Sequence, residues 1–198
     1  MPYQLQQNTT KLEQLKSYLK NHIDFEIIDF KTELLEARKD HSVDLFYKYD
    51  THWNNHGAFY AYSHLIDKLN EKYSINKQTL KDYKTLKTAK DYDLTRMLNV
   101  KINDSALILE KEHKSFTSTQ KLKHVHRAFK NPNGALKIIY HGDSFMYALM
   151  PFMNETFKKI TYVKNDYVLK PKIIEEEQPD IIIFELVERN IKLLKDIK

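Results

Sequence analysis

The chain is most informative first for what it lacks. It has no cysteine, three glycines and five prolines among 198 residues. The absence of cysteine excludes disulfides, cysteine nucleophiles and thiolate metal sites, and it fits either a reducing compartment or an exported bacterial protein without disulfides. No apolar run approaches the ~18 residues of a membrane span. The polar start, MPYQLQQNTTK, lacks the apolar core of a signal peptide.

The composition that remains is that of a folded protein. Hydrophobic residues make up 41% and aromatic residues 12% of the chain, and the scarcity of glycine and proline leaves little room for flexible linkers. We therefore predict one domain over residues 1–198. The net charge is +5, but lysines are mixed with acidic residues along the chain, which argues against nucleic acid as a partner.

Hydrophobic spacing in the first two thirds of the chain predicts helices and short strands around one ambiguous stretch. The predicted helices are 8–21, 31–39 and 54–73, with Thr9 or Thr10 capping the first and Asn54 or Asn55 the third, and the predicted strands are 24–30, 105–110 and 124–129. We expect the last two strands to pair as a short antiparallel insertion. The polar residues 74–103 are ambiguous, with helices near 78–88 and 93–98.

The last third of the chain alternates regularly between strand and helix patterns. After a strong turn signal at 131–134, the predicted order is strand 136–141, helix 144–157, strand 159–164, helix 170–177, strand 180–186 and helix 187–196. Such alternation predicts an α/β fold with a parallel sheet and helices on its faces. Active sites in these sheets lie at the carboxyl ends of the strands, and Ser144 falls at such an end.

Two short segments carry the chemistry. The first, Tyr-Asp-Thr-His-Trp, contains Asp50 and His52, and the second, His-Gly-Asp-Ser-Phe, contains Ser144. A serine hydroxyl becomes a nucleophile at neutral pH when an imidazole takes its proton and a carboxylate orients that imidazole. The three residues therefore predict acyl transfer through Ser144. The alternative is structural, because serine commonly caps a helix start; the presence of the Asp-x-His segment favours the nucleophile.

The motifs YDTHWNNHGA, DLTRML, IIYHGDSFMYALMPFM and IIIFELVERN resemble those of a known family. This family comprises the SGNH-hydrolase-like domains of the alginate O-acetyltransferase group, the AlgX/AlgJ-like or DHHW proteins. The resemblance implies a three-layer α/β/α sandwich with a mostly parallel central sheet. It also implies an N-terminal anchor and a strand–helix unit ahead of the segment where this chain begins, so we expect that unit to be absent here.

The same resemblance implies a function and roles for the residues. It implies an O-acetyltransferase that acts on a bacterial cell-surface or exported polysaccharide outside the cytoplasmic membrane, with Ser144 as nucleophile, His52 as base and Asp50 as its orienter. The implied partners are the polysaccharide acceptor, an acetyl donor and a membrane-bound O-acyltransferase that supplies the acyl group. No cofactor is implied. A carbohydrate esterase of the same fold and a non-catalytic glycan-binding module are the alternatives.

Further residues near the two segments are candidates for the oxyanion or for substrate. They are Gly142, Asp143, Trp53, Tyr49, His141 and Arg189. Several have a structural alternative: a turn residue for Asp143, a packing anchor for Trp53 and a strand-end packing residue for His141. Arg189 could bind an acidic sugar, pair with Asp143 or form an ion pair at a helix start. We expect the backbone N–H of Ser144 to contribute to the oxyanion hole.

The spacing of four histidines makes a metal site conceivable. His52 and His56 are four residues apart, and His41 and His64 are nearby in sequence. An HExxH pattern does not accompany them, and the asparagines between His52 and His56 indicate that a helix begins between them. We therefore predict no metal.

Overall fold

The computed structural model describes residues 9–22, 25–40, 42–119, 127–164 and 170–196. This part of the chain contains helices and strands in mixed order. The α-helices are α1 (Lys11–Lys20), α2 (Lys31–Ala37), α3 (Asn55–Leu69), α4 (Asp93–Met97), α5 (Met146–Thr156) and α6 (Pro171–Glu177). The strands are β1 (Lys84–Ala89), β2 (Ser105–Glu110), β3 (Thr117–Ser118), β4 (Arg127–Lys130), β5 (Ala135–Gly142), β6 (Phe157–Lys164) and β7 (Ile181–Phe184). Short 3₁₀ helices cover Leu80–Asp82 and Glu188–Asp196.

The central sheet has the strand order β3-β4-β6-β5-β7. Strand β5 runs parallel to both β6 and β7, whereas β4 is antiparallel to β6 and β3 is antiparallel to β4. The parallel part is thus the β5-α5-β6-α6-β7 run predicted from the alternating pattern. Strand β5, the middle parallel strand, ends at Gly142, so its carboxyl end lies immediately before Asp143 and Ser144.

Alternating residues of β5 and β6 pack on opposite faces of this sheet. Ile138, Tyr140 and Ile160 belong to the large core shared with α3 and α5. Ile139 and Val163 point the other way and pack with residues of α6. Helices therefore cover both faces of the sheet. The α/β layered architecture predicted from the sequence is confirmed.

Helix α3 begins where its sequence predicts, and its start matters for the site. The side chain of Asn54 accepts hydrogen bonds from the backbone N–H groups of His56 and Gly57 at 2.9 and 3.0 Å, which is the N-cap geometry. Its amide in turn donates to the carbonyl of Asp44 at 2.5 Å. The helix start is therefore tied to the chain that precedes it. The first helix is likewise capped by Thr10, as predicted.

The predicted strand 24–30 is wrong over its described part, because residues 25–30 are neither helix nor strand. Ile28 and Phe30 pack on the core cluster instead of pairing with a neighbouring strand. Asp29 accepts the backbone N–H of Lys31 at 3.1 Å and pairs with Lys16, so its carboxylate joins α1 to the start of α2. The apolar residues of this segment resemble a strand pattern in the sequence, but in the structure they serve to pack on the core.

The ambiguous region also differs from the prediction. Instead of a helix near 78–88 there is a 3₁₀ turn followed by β1, which pairs antiparallel with β2 from Lys84↔Glu110 to Ala89↔Ser105. The run of β1, Lys-Thr-Leu-Lys-Thr-Ala, does not alternate between apolar and polar residues. It forms a strand because β2 supplies its backbone partners. The antiparallel insertion exists, therefore, but the predicted partner of 105–110 was wrong.

Three further predictions concern the strand at 124–129 and the helices at 93–98 and 187–196. Residues 127–130 pair with β3 and β6 rather than with β2, and 120–126, which include His124 and His126, lie outside the described residues. The helix predicted at 93–98 is confirmed as α4, and the final predicted helix is a 3₁₀ helix. Within the described ranges, none of the helices combines the length and apolar character needed to cross a bilayer.

Candidate active site

The turn that carries Ser144 is shaped by its two predecessors. A Cβ atom at Gly142 would lie 2.8 Å from Cβ of Met146 and 2.7 Å from Oε2 of Glu185, so only glycine fits without a shift. The carboxylate of Asp143 accepts the backbone N–H of Phe145 through Oδ1 and that of Val187 through Oδ2, both at 3.0 Å. Asp143 is thereby a turn residue whose oxygens are committed to the backbone.

Ser144 does not cap the helix that follows it. Helix α5 starts at Met146 with Phe145 at the cap position, and no side chain caps it. The carbonyl of Ser144 accepts the N–H of Tyr147 at 3.5 Å, while its hydroxyl points to His52. The capping alternative considered from the sequence is therefore not what the structure shows.

Asp50 and His52 lie in a tight loop that ends at the Asn54 cap of α3. An isolated bridge between Phe46 and Trp53 closes this loop, and the N–H of Asn54 donates to the carbonyl of Leu45 at 3.0 Å. Within the loop, Oδ1 of Asp50 accepts the backbone N–H of His52 at 3.1 Å and lies 2.5 Å from its Nδ1. The two-residue spacing thus lets one carboxylate fix both the backbone and the ring of His52.

These two segments meet across the site. Nε2 of His52 lies 2.6 Å from Oγ of Ser144. When the imidazole proton is on Nδ1 and is donated to Asp50, Nε2 is free to accept the proton of the serine hydroxyl. Asp50, His52 and Ser144 therefore form a continuous chain of hydrogen bonds suited to nucleophilic acyl transfer.

Trp53 is a packing anchor in this arrangement. Only 6% of its surface is exposed, and its indole N–H donates to the buried carbonyl of Phe145 at 3.0 Å. Its ring also packs on that of Phe145 with a centroid distance of 5.4 Å. The residue after His52 is thus bonded to the residue after Ser144, which fixes the separation of the two segments that carry His52 and Ser144.

Lys90 contacts the carboxylate of Asp50 from the side opposite His52. Its Nζ lies 3.2 Å from Oδ2 of Asp50 and 4.5 Å from the ring centroid of Tyr47. Burial by itself raises the pKa of Asp50, but the hydrogen bonds from His52 and the charge of Lys90 outweigh it and lower the pKa to about 2. Asp50 is therefore ionised throughout the neutral range.

Asp93, at the start of α4, is a second carboxylate beside His52. Its Oδ1 accepts the backbone N–H of Thr51 at 2.9 Å, its Oδ2 accepts the Thr51 hydroxyl, and Oδ2 also lies 3.6 Å from Nδ1 of His52. Sequence reasoning identified neither Asp93 nor Lys90. The motif Asp-Leu-Thr-Arg marked the segment, but nothing in the sequence placed it against a loop more than forty residues earlier.

A cleft of about 330 Å³ opens beside Ser144 and His52. Its walls include two tyrosines, a lysine, an arginine and an asparagine. These are Tyr47, Tyr147, Lys90, Arg96 and Asn55. The asparagine is held in place, because its side chain accepts the N–H of Leu109 at 3.2 Å and donates to the carbonyl of Ala148 at 3.3 Å. The cleft offers polar and aromatic groups to a ligand that approaches Ser144.

Two of the sequence candidates, His141 and Tyr49, are not among the residues that line this cleft. His141 is fully buried on the face of the sheet that carries Ile139, with its ring stacked on Phe184 at 6.1 Å. Tyr49 packs its ring against Tyr92 at 5.8 Å, and Tyr47 rather than Tyr49 lines the cleft. The structure therefore gives His141 and Tyr49 packing roles.

Arg189 lies near the turn that carries Ser144. The sequence offered an ion pair between Arg189 and Asp143 as one alternative, and the structure does not form it. Its guanidinium carbon lies 5.4 Å above the ring of Phe145, and the ring of Phe145 is 4.8 Å from that of His52. The carboxylate oxygens of Asp143 receive backbone N–H groups instead. Arg189 is exposed, so its charge stands near the mouth of the site over an aromatic face.

A buried acid that the sequence did not indicate supports the turn from behind. Burial, reinforced by the negative charge of Asp143 and a hydrogen bond to it, raises the pKa of Glu185 well above the usual range. Glu185 shares a hydrogen bond with Asp143, and the hydroxyl of Tyr140 donates to Glu185. A carboxyl group with a raised pKa thus contacts the residue that precedes Ser144.

In the described part of the chain, the histidines considered as metal ligands do not form a cluster of ligand atoms. His64 pairs with Glu33 at 3.0 Å, burial lowers the pKa of His56, and His41 lies outside the described residues. The described residues do bring ligand atoms of Asp50, His52 and Asp93 within 4.8 Å of one another. The ammonium of Lys90 already neutralises one of those carboxylates, which weakens the case for a divalent cation there.

Comparison with known families and proteins gives one family match. The model of the SGNH hydrolase-like domain of the acetyltransferase AlgX matches residues 2–154. This range includes both the Asp-x-His segment and the Gly-Asp-Ser turn. None of the curated protein sequences matches the chain significantly.

Several solved structures share the fold. PatB1 of Bacillus cereus, in a structure with a sulfonyl adduct, has 18% sequence identity and a TM-score of 0.58 over 80% of this chain. A DHHW family protein from Eubacterium siraeum has 14% identity and a TM-score of 0.70 over 92%. The O-acetyltransferase domain of Pseudomonas putida AlgJ has 13% identity and a TM-score of 0.53 over 90%. The chain spans 66%, 71% and 64% of these structures respectively.

Proposed function

The chain belongs to the family of SGNH hydrolase-like domains of the AlgX acetyltransferase type, as its motifs predicted, and from this we propose that it is a serine-dependent O-acetyltransferase. The proposed acceptor is a hydroxyl group of a bacterial cell-surface or exported polysaccharide. The observation that carries the proposal is the hydrogen-bonded chain from Asp50 through His52 to Ser144, which opens on a polar cleft.

In the first half of the proposed reaction, Ser144 becomes acetylated. Nε2 of His52 takes the hydroxyl proton as Oγ attacks the carbonyl carbon of an acetyl donor. The tetrahedral intermediate then collapses, the bond to the leaving group breaks, and His52 returns the proton to that group. Asp50 stays ionised and stabilises the imidazolium while it exists.

In the second half, the acetyl group passes to the acceptor. His52 removes the proton of a sugar hydroxyl, whose oxygen attacks the acetyl-serine carbonyl, and the proton returns to Ser144 as its oxygen leaves. For the oxyanion in both halves we propose the backbone N–H of Ser144, close to the start of α5, where the helix dipole favours negative charge. Water in place of the sugar gives an esterase from the same intermediate.

Several aspects of this proposal come from the family rather than from the site. They are an extracytoplasmic location, an acetyl donor outside the chain and a membrane-bound O-acyltransferase that supplies acetyl groups. The cleft fits a carbohydrate acceptor in a general way, because Tyr47, Tyr147 and Asn55 offer rings and an amide of the kind that bind sugar hydroxyls. The same groups fit a range of sugars, so the acceptor is proposed only as a class.

The test is covalent labelling of Ser144. Wild type, Ser144→Ala, His52→Ala and the control Ser42→Ala would be treated with phenylmethanesulfonyl fluoride and, separately, with p-nitrophenyl acetate, and the intact mass recorded with time. Ser42 is exposed and outside the site. A sulfonyl adduct in a structure of similar fold makes the first reagent a reasonable choice.

We expect one sulfonyl or acetyl group on wild type and on Ser42→Ala, mapped to Ser144, and none on Ser144→Ala. His52→Ala should be labelled slower by several orders of magnitude, as in other triads. Transfer of the acetyl group to added oligosaccharide then separates transferase from esterase. Equal background labelling of all four folded proteins would contradict the proposal and would favour a non-catalytic glycan-binding module.

A further inference from the structure

The loop that carries Asp50 and His52 is bonded to a distant segment at four points. The N–H of Leu94 donates to the carbonyl of Tyr49 at 3.3 Å, and the N–H of Asp93 donates to Oδ2 of Asp50, also at 3.3 Å. The carboxylate of Asp93 accepts both the N–H and the hydroxyl of Thr51. The start of α4 therefore forms a second wall of the Asp-x-His loop.

Asp93 does more than contact the backbone of this loop. Its Oδ2 lies 3.6 Å from Nδ1 of His52, the same ring atom that Oδ1 of Asp50 contacts at 2.5 Å. The side chains of His52 and Asp93 are 23% and 20% exposed, so the pair is only partly screened by solvent. A small rotation of the imidazole would exchange one acceptor for the other.

We propose that Asp93 is a positioning residue for His52, a second carboxylate that stabilises the imidazolium and substitutes in part for Asp50. The inference rests on the proposed function, because a positive charge on His52 affects the rate only if His52 acts as the base. It assigns the start of α4 to the proposed catalytic machinery.

The charges around His52 support this role. Asp50 and Asp93 are the negative groups beside Nδ1, Lys90 neutralises part of the charge of Asp50, and Arg189 lies farther away across Phe145. In a fully ionised site, the two carboxylates and Lys90 leave one net negative charge. That charge matches the single positive charge that His52 acquires when it takes the serine proton.

A double-mutant cycle separates this role from mere support of the loop. The proteins are wild type, Asp50→Asn, Asp93→Asn, the double variant and Thr51→Val, which removes the hydroxyl that Asp93 binds but keeps its charge. Asp67→Asn is the control, because it removes an exposed carboxylate that pairs with Lys77 away from the site. Sulfonylation of Ser144 is measured against pH for each protein after its folding has been checked by circular dichroism.

We expect Asp93→Asn to slow labelling about ten-fold in the wild-type background and about a hundred-fold in Asp50→Asn, since each carboxylate partly covers for the other. Thr51→Val and Asp67→Asn should lie within about three-fold of wild type. The acid limb of the pH profile should move to lower pH in Asp93→Asn, because the imidazolium loses a nearby negative charge. Independent, multiplicative effects, or a Thr51→Val protein as slow as Asp93→Asn, would overturn the inference.

The outcome can be separated from failure of the proposed function. The titration of the His52 imidazole, followed by NMR in the Ser144→Ala background, does not require catalysis. Its midpoint should move to lower pH in Asp93→Asn and stay unchanged in Thr51→Val; equal midpoints in all three proteins would refute the role of Asp93 even if Ser144 is labelled. If Asp93→Asn does not fold, Asp93→Glu takes its place. It keeps the negative charge, so the His52 midpoint should equal that of the Ser144→Ala protein. A shifted midpoint would contradict a role for the charge of Asp93.

Discussion

Replacement of Gly142 by alanine tests how closely the turn that carries Ser144 is packed. The added Cβ would meet Oε2 of Glu185 at 2.7 Å and Cβ of Met146 and Cε1 of Tyr140 at 2.8 Å. The Tyr140 ring is buried in the core, and Glu185 is hydrogen-bonded to both Asp143 and Tyr140. Met146 can retreat only if the start of α5 moves with it, and that movement carries Ser144.

The size of the effect follows from these contacts. Bringing Met146 from 2.8 Å to an ordinary contact of 3.4 Å requires about 0.6 Å of movement. A shift of that size would lengthen the 2.6 Å hydrogen bond between Ser144 and His52 to the weak end of the normal range. We expect about 1–3 kcal/mol loss of unfolding free energy from overpacking and a fall of about 10- to 100-fold in acylation from misplacement of the nucleophile.

Gly134→Ala is the matched control. Its Cβ would lie 2.4 Å from the backbone carbon of Phe157, at the opposite end of β5, roughly 25 Å from Ser144 by strand geometry. It should destabilise the protein at least as much, yet leave labelling of the folded fraction unchanged. Urea unfolding and the rate of Ser144 sulfonylation measure the two quantities. If Gly142→Ala labels at the wild-type rate, the coupling between this contact and the nucleophile is refuted.

Three further predictions concern residues around the turn. Trp53→Phe should lower the unfolding free energy by about 1–3 kcal/mol, measured in urea, because the buried carbonyl of Phe145 loses its donor. Since the pKa of Glu185 is raised in the folded state, its contribution to stability is present below about pH 4 and is lost as the pH rises; Glu185→Gln should therefore be more stable than wild type at about pH 8, with the difference narrowing towards acid, and a thermal melt that shows no such gain would contradict this. The contribution of Asp50 to stability depends on pH in the opposite direction. Because its pKa is lowered to about 2 in the folded state, ionised Asp50 stabilises the fold above about pH 4, and roughly 2 kcal/mol of unfolding free energy is lost as the pH falls towards 2. Acid unfolding of Asp50→Asn should be correspondingly flatter over that interval.

The parts of the fold that the sequence predicted are those whose partners are close in the chain. Strands β5, β6 and β7 and the helices between them alternate over short intervals, so their apolar pattern and the right-handed crossover rule leave few arrangements open. The wrong predictions fall where partners are distant or absent. The helix predicted near 78–88 is β1, whose identity depends on pairing with β2 more than fifteen residues later.

The site shows the same division. The structure brings together Asp50, His52 and Ser144, which the sequence predicts from two local motifs, and it packs Trp53 against the segment of Ser144. Lys90 and Asp93 were missed, since lysine and aspartate in a polar stretch have no pattern that distinguishes a buried partner from a solvated face. Glu185 was missed for a related reason: its pKa is raised by burial and by the charge of Asp143, neither of which is a property of its own segment.

The orientation of Ser144 depends on its neighbour. A serine at a helix start ordinarily turns its oxygen back towards the free N–H groups of the first turn. Here the N–H groups of Met146 and Tyr147 in the first turn donate to the backbone carbonyls of Asp143 and Ser144 at 3.3 and 3.5 Å. The Asp143 carboxylate accepts the N–H groups of Phe145 and Val187. The hydroxyl of Ser144 therefore has no capping role to fill and is left to donate to His52. The Gly-Asp-Ser order thus has a physical reason at each place. Glycine leaves room for Met146 and Glu185, aspartate accepts backbone N–H groups of the turn, and the serine hydroxyl is left to bond to His52.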